Sequence, residues 1–258
     1  LYQEAKRLIT SGSIGDIYHV RALWHRNRDW RRKVPKVEFN PSPWGYPDLE
    51  RLKNWRLYSK YSQGLMAELG SHQVQVVNWF SGSLPEAVYG SGGIYRYKDG
   101  REVNDHIYLT YSYPGGLTLT YSSIQSNALD HYYEQFMGTK GTIILSRERE
   151  AMLFLEGEPG QATELQVLPT TDAPVLQASA SRARDASGAT ISAAEGRSSA
   201  LSAYQKEIEG FCATIRKGRP NLSDGPSSMN VSVAVVKGNE SIAKSEKIQI
   251  SAELYDMS

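Results

Sequence analysis

Between positions 87 and 145 apolar and polar side chains alternate in one run after another, each run cut from the next by glycine or proline. Side chains on a strand point to opposite faces in turn, so a period of two commits most of this stretch to a sheet. Residues 87–97 open the series. Ile107, Leu109, Tyr111 and Tyr113 lead into Pro114-Gly115-Gly116, and Leu117, Leu119 and Tyr121 leave it. Shorter runs cover 132–137 and 142–145, the latter after Gly138-Thr139-Lys140-Gly141, and 152–155 with 165–168 adds a hairpin. An earlier strand starts at Ile17 and ends at Trp24-His25-Arg26-Asn27; a last one covers 247–250. Consecutive strands joined by short glycine-containing turns pair antiparallel.

Helical spacing lies outside this block. Leu1, Ala5, Leu8 and Ile9 form a stripe closed by Gly12 in the position of a left-handed cap. Residues 64–80 read as a helix stopped by Ser81-Gly82 and Pro85. Tyr204, Ile208, Phe211 and Ile215 mark an amphipathic helix ended by Gly218 and Pro220, with Cys212 expected to be a small buried apolar residue beside Phe211. A further helix spans about 227–244, weakened by Gly238. The predicted class is α+β: an open, mostly antiparallel sheet with helices on one face. The other face carries Thr118, Thr120 and Ser122 among many tyrosines. Either it packs against a second copy, making a homo-oligomer, or it is solvated.

Two segments break the pattern. Residues 26–63 have no period but hold Trp30, Trp44, Tyr46, Trp55, Tyr58 and Tyr61 among several prolines, which suits an ordered functional loop. Residues 172–199, rich in Ala, Ser, Gly and Thr, are expected to be a mobile excursion.

Charge excludes some functions. Over 258 residues 29 Lys and Arg face 28 Asp and Glu, so no domain-wide basic field serves nucleic acid, and the local cluster Arg26, Arg28, Arg31, Arg32, Lys33 stands alone. No apolar run reaches the roughly 18 residues of a membrane span. One cysteine excludes an internal disulfide and a Cys-rich metal site. Cytoplasm and periplasm of a bacterial cell both fit such a chain. No metal site is predicted, because His25, His72, His106 and Glu68 lack ligand spacing and read better as structural groups or as parts of other chemistry.

The chemical signal lies in the helix over residues 64–80. Four residues apart, Glu68 and His72 share a face of an ideal helix, so the carboxylate can orient the imidazole for general acid/base work. The same spacing also describes an ordinary exposed pair. In the aromatic loop Trp30, Trp44, Trp55 or Tyr58 could meet the CH face of a sugar ring while Arg26, Arg28 or Arg56 bonds hydroxyls or a carboxylate; otherwise the aromatics form the loop's own small core.

Taken in order, Gly12-Ser13-Ile14-Gly15-Asp16-Ile17, the aromatic loop, the helix bearing His72, Leu84-Pro85-Glu86-Ala87-Val88-Tyr89 and Gly138-Thr139-Lys140-Gly141-Thr142 resemble the C-terminal domain of the Gfo/Idh/MocA family over nearly the whole chain. The resemblance puts His72 on the family's catalytic histidine and Glu68 on the carboxylate one turn before it. The family usually has aspartate there and another aspartate three residues after the histidine, where this chain has Gln75. It also implies that Trp24, Arg26 and Asn27, with His131 and Tyr132, line a substrate pocket.

Further implications concern what would lie upstream. The family binds NAD or NADP on an N-terminal domain with a Gly-rich turn and takes a catalytic lysine from a Glu-Lys-Pro motif; Gly90-Ser91-Gly92-Gly93 does not match such a turn. Residues 1–258 are therefore expected to be a C-terminal substrate and oligomerisation domain, inactive and weak for NAD(P) alone, its NAD(P)-binding domain missing. The implied function is oxidation or reduction of a secondary alcohol of a sugar, cyclitol or glycoside. NAD-assisted glycoside cleavage and a non-catalytic oligomerisation or sugar-binding module are the alternatives.

Overall fold

The computed structural model describes residues 1–148, 150–157, 165–168, 175–179, 203–218 and 223–256. Helix α1 (Tyr2–Thr10) is followed by strand β1 (Ile17–Asn27), a short helix α2 (Leu49–Lys53) and helix α3 (Ser71–Ser81). Strands β2 (Ala87–Gly93), β3 (His106–Ser112), β4 (Thr118–Ile124), β5 (Ser126–Gly138), β6 (Gly141–Ser146), β7 (Glu150–Leu155), β8 (Leu165–Leu168) and β9 (Val175–Ser179) come next. Helices α4 (Ala203–Lys217) and α5 (Gly225–Lys244) and strand β10 (Ile248–Gln249) complete the order. The chain divides into two compact units, Leu1–His19 with Glu134–Ser228 and Val20–Tyr133 with Met229–Ser258.

In the unit containing Val20–Tyr133 the strands are hydrogen-bonded in the order β10-β2-β3-β4-β1. The pairs β10–β2, β2–β3 and β3–β4 are antiparallel. Leu109 lies opposite Tyr121 and Tyr111 opposite Leu119, so the odd positions of both strands share one buried face. Helices cover that face. The Tyr111 hydroxyl donates to the Ala234 carbonyl of α5 at 2.9 Å, and the Tyr113 hydroxyl donates to Asn78 Oδ1 of α3 at 2.9 Å. Gly238, which helix propensity marks as a weak point of α5, lies against Tyr111 and Leu109, so tertiary packing decides that residue. The opposite face, with Tyr89, Tyr108 and Thr110, is open. The predicted architecture, an open and mostly antiparallel sheet with helices on one face, is what this unit shows.

Strand β2 stops at Gly93 rather than running to Tyr97, because the backbone turns onto a side chain. The N–H groups of Tyr95, Arg96 and Tyr97 all donate to the carboxylate of Asp105, at 2.7–3.1 Å, and the His106 ring adds a bond at 2.9 Å. Groups that alternation would spend on a strand ladder are spent on one buried carboxylate.

Paired charges bind the aromatic segment. Arg31 bridges Glu50 and Asp99, and Arg101, its side chain fully buried, contacts Asp29 and Asp99 while its guanidinium lies 4.4 Å from the Tyr97 ring centre. The basic cluster seen in the sequence is thus partly neutralised at Arg31. Phe39 stacks on Trp44 at 5.2 Å and Tyr46 meets Tyr61 at 4.5 Å, two separate ring pairs, of which Phe39 and Trp44 are exposed.

In the other unit the strands follow the order β5-β6-β7-β9-β8; β6–β7 and β8–β9 are antiparallel and β7–β9 is parallel. Among the described residues Ala5, Leu8, Ile14, Phe136, Ile143, Leu145, Ala151 and Leu153 are its buried apolar residues. Two glycine motifs more than a hundred residues apart meet here. Thr139 N–H donates to the Asp16 carbonyl at 3.0 Å, Lys140 N–H to the Ile14 carbonyl at 2.8 Å, and Asp16 N–H to the Thr139 hydroxyl at 3.1 Å. A Cβ on Gly138 would stand 2.1 Å from the Ile14 carbonyl oxygen, so only glycine lets the backbones approach this closely.

Three expectations are revised. Within 172–199, Val175–Ser179 is a strand, held by backbone pairing to β7 and β8; the rest of that excursion lies outside the described residues. Cys212 is only half buried, since α4 presents its apolar stripe to solvent, with Tyr204, Ile208, Phe211 and Ile215 all exposed. The strand expected over 132–137 begins six residues earlier, at Ser126.

Candidate functional site

The helix that carries His72 is not uniform. Met66–Gly70 forms a π turn ahead of α3. Met66, Leu69, Val74, Val77 and Phe80 are buried, whereas His72 lies on the exposed side. Gly70 sits where the Tyr121 ring of β4 packs, and a Cβ there would be 2.9 Å from Met66 and 3.0 Å from Tyr121. A π turn closes its hydrogen bonds one residue later than an α turn, so a four-residue spacing across it does not stack the two side chains.

That displaces the expected pair. Glu68 forms an ion pair with Arg56 at 2.6 Å, not with His72, because Arg56 reaches it from the 3-10 turn Trp55–Leu57. Its guanidinium also lies 5.1 Å from the Trp55 ring centre. His72 instead meets Trp24, ring centres 5.7 Å apart and tilted by 47°. Sequence spacing made Glu68 the orienting group; the structure makes it the anchor of Arg56.

Trp24 is the hub. One neighbour is Tyr132, stacked at 4.6 Å with 17° between the planes. Another is Arg26, whose guanidinium carbon lies 5.0 Å from the Trp24 ring centre. Burial, then the nearby Arg28 cation, pushes the pKa of Arg26 below the usual arginine value, with Tyr121 and Tyr132 opposing and Arg56 adding to the effect; the group stays charged. Aromatic rings, an exposed imidazole and several guanidinium groups thus share one surface, an arrangement able to hold a sugar ring by its CH face and bond its oxygens.

The remaining candidates separate. Asn27 is exposed at the end of β1. His131 is exposed in β5 and, with Asp130, has a left-handed backbone (φ 55° and 67°), a local kink just before Tyr132. His25 bonds the Leu129 carbonyl at 3.1 Å and the Ser122 hydroxyl at 2.8 Å, and burial lowers its pKa against the pull of Leu129; it joins β1 to its neighbours. His106 serves Asp105. Among the described residues no group of three His, Cys, Asp or Glu could hold a metal ion. Nor is any described helix long and apolar enough to cross a membrane. Sequence reasoning missed the π turn and the place of Tyr121 beside Arg26; the close approach of Gly70 to Tyr121 has no local signature.

Gly90 to Gly93 do not form a cradle for a nicotinamide dinucleotide. Gly90 to Gly93 lie inside β2, paired to β3 from Leu109 to His106, and the Gly90 N–H donates to the Ser241 hydroxyl at 2.9 Å. A pyrophosphate cradle needs such N–H groups free at the start of a helix.

The model of the GFO/IDH/MocA C-terminal domain matches residues 2–144. No curated protein sequence matches the chain. Among solved structures, aldose-aldose oxidoreductase from Caulobacter crescentus, complexed with glycerol, is similar at 15% identity and TM-score 0.61, covering 96% of this chain and 60% of that one. Scyllo-inositol dehydrogenase from Lactobacillus casei with bound NAD(H) and scyllo-inositol gives 15% and 0.58, with 96% and 61% covered. Myo-inositol 2-dehydrogenase from Lactobacillus plantarum gives 12% and 0.59, with 97% and 61%. At such identities the likeness is one of fold, and the chain spans about three-fifths of the length of these proteins.

Proposed function

From the premise that this chain belongs to the Gfo/Idh/MocA family, we propose that it is the substrate-binding and catalytic-histidine domain of an NAD(P)-dependent oxidoreductase acting on a secondary alcohol of a sugar or cyclitol. One observation carries the reading: His72, which the sequence resemblance pairs with the family's histidine, is exposed and in ring contact with Trp24, which also meets Tyr132 and Arg26. A neutral imidazole there accepts the proton of a substrate hydroxyl during oxidation and returns it in the reverse direction. Sugar and cyclitol oxidoreductases among the structural neighbours support the substrate class.

The cofactor belongs to an additional N-terminal domain in this proposal, which also supplies a lysine. Calorimetry should then give no saturable micromolar binding of NAD or NADP by residues 1–258. In the complete enzyme His72→Ala should lower turnover about a hundredfold or more; an unchanged turnover number removes His72 from the chemistry. The Arg56–Glu68 pair favours a second reading, a sugar-binding module without chemistry, since among the described residues it leaves His72 with no orienting carboxylate. The same variant separates the two, because a module has no turnover to lose. Association of two copies through the open face bearing Tyr89 and Tyr108 completes the proposal.

A further inference from the structure

Two further guanidinium groups, Arg28 and Arg56, act on Arg26, and Arg56 is ion-paired with Glu68. Arg28 is exposed and screened by water. Arg26 is the remaining cation: half buried, its guanidinium carbon over the Trp24 ring at 5.0 Å, with no carboxylate or carbonyl among the described residues bonded to its guanidinium. A ring face satisfies the cation but uses none of its N–H donors in conventional hydrogen bonds.

We propose that the substrate of this site is a sugar acid, a uronate or aldonate, whose carboxylate is bound by Arg26 while its ring or chain lies along Trp24 and Tyr132. This rests on the oxidoreductase reading and narrows its substrate class. A planar fork of donors matches a planar carboxylate through two parallel bonds. One uncompensated and partly desolvated cation matches one negative charge, which favours a carboxylate over a doubly charged phosphate. The cation–π contact with Trp24 holds the guanidinium in place before the ligand arrives, so less side-chain freedom is lost on binding.

Binding to the complete protein is measured by calorimetry for matched pairs: D-glucuronate with D-glucose, D-galacturonate with D-galactose, and D-gluconate with D-sorbitol. At least one acid should bind roughly ten to a hundred times more tightly than its neutral partner, the range of a charge-assisted pair. In Arg26→Gln that ratio should fall close to one. Arg26→Lys, which keeps the charge and loses the fork, should retain only part of it. The proposal is overturned if every neutral partner binds as well as its acid, if no acid binds, if D-glucose 6-phosphate binds more tightly than all the acids, or if Arg26→Gln leaves the ratio unchanged. Turnover of the same pairs with NAD or NADP, before and after His72→Ala, tests the parent reading separately. Histidine-dependent turnover of neutral sugars alone removes the sugar acid and keeps the oxidoreductase. Tight binding of an acid without turnover does the reverse.

Discussion

Asp99 accepts from both Arg101 and Arg31, and through them it ties the aromatic segment to the loop after β2. The Arg101 hydrogen bond, opposed by burial and reinforced by Arg31, holds its carboxyl well below the ordinary aspartate range. A depressed folded pKa stabilises the protein at pH values above the unfolded value of about 3.9, and the benefit is lost as pH falls through the folded value. Asp99→Asn should therefore lower the Tm at pH 7 and flatten its decline between about pH 4 and pH 2. Thermal melts followed by circular dichroism across that range measure it; parallel curves for both proteins would show that Asp99 has no such role. At this scale the sequence was a partial guide. His72 and Glu68 could be found by type and spacing, but the partner of Glu68 is Arg56, twelve positions away and on another element.

Elements were easier to read than contacts, because periodicity is local. The alternation over Ile107 to Tyr113 and Leu117 to Tyr121 predicts β3 and β4 and their buried faces, and the structure has both. Strand ends are harder: β2 stops where Asp105 captures three N–H groups, an event decided by a residue eight to ten positions on. The Gly138 turn shows the same dependence on a distant partner. Gly138→Ala places a methyl group against the Ile14 carbonyl, which cannot move without breaking its bond from Lys140. A loss of about 3 kcal/mol follows for overpacking at a backbone contact, or roughly 5 to 10 °C in Tm. Scanning calorimetry would reveal it, and a midpoint unchanged within a degree would mean that the two turns tolerate separation.

For the whole molecule, the open face of β2 and β3 is the feature to test. Tyr89 is 51% and Tyr108 47% exposed, side chains large enough to anchor an interface, with Thr110 beside them. If two copies associate there, a Tyr89→Glu, Tyr108→Glu double variant buries like charges across the symmetry axis and should shift the complete protein toward monomer in sedimentation velocity. An unaltered sedimentation coefficient would move the interface elsewhere. What the amino-acid sequence determined alone was the α+β class, the order of most strands and of the longer helices, and a histidine on the helix after the aromatic segment. These depend on side-chain period and on turn residues, which act over a few positions. Only the tertiary structure decided that Glu68 serves Arg56, that Trp24 gathers His72, Tyr132 and Arg26, and that the Gly15 and Gly138 turns lock together. Each of those outcomes is a contact between residues far apart in the chain, selected by competition among several possible partners in space, and no local pattern encodes the winner.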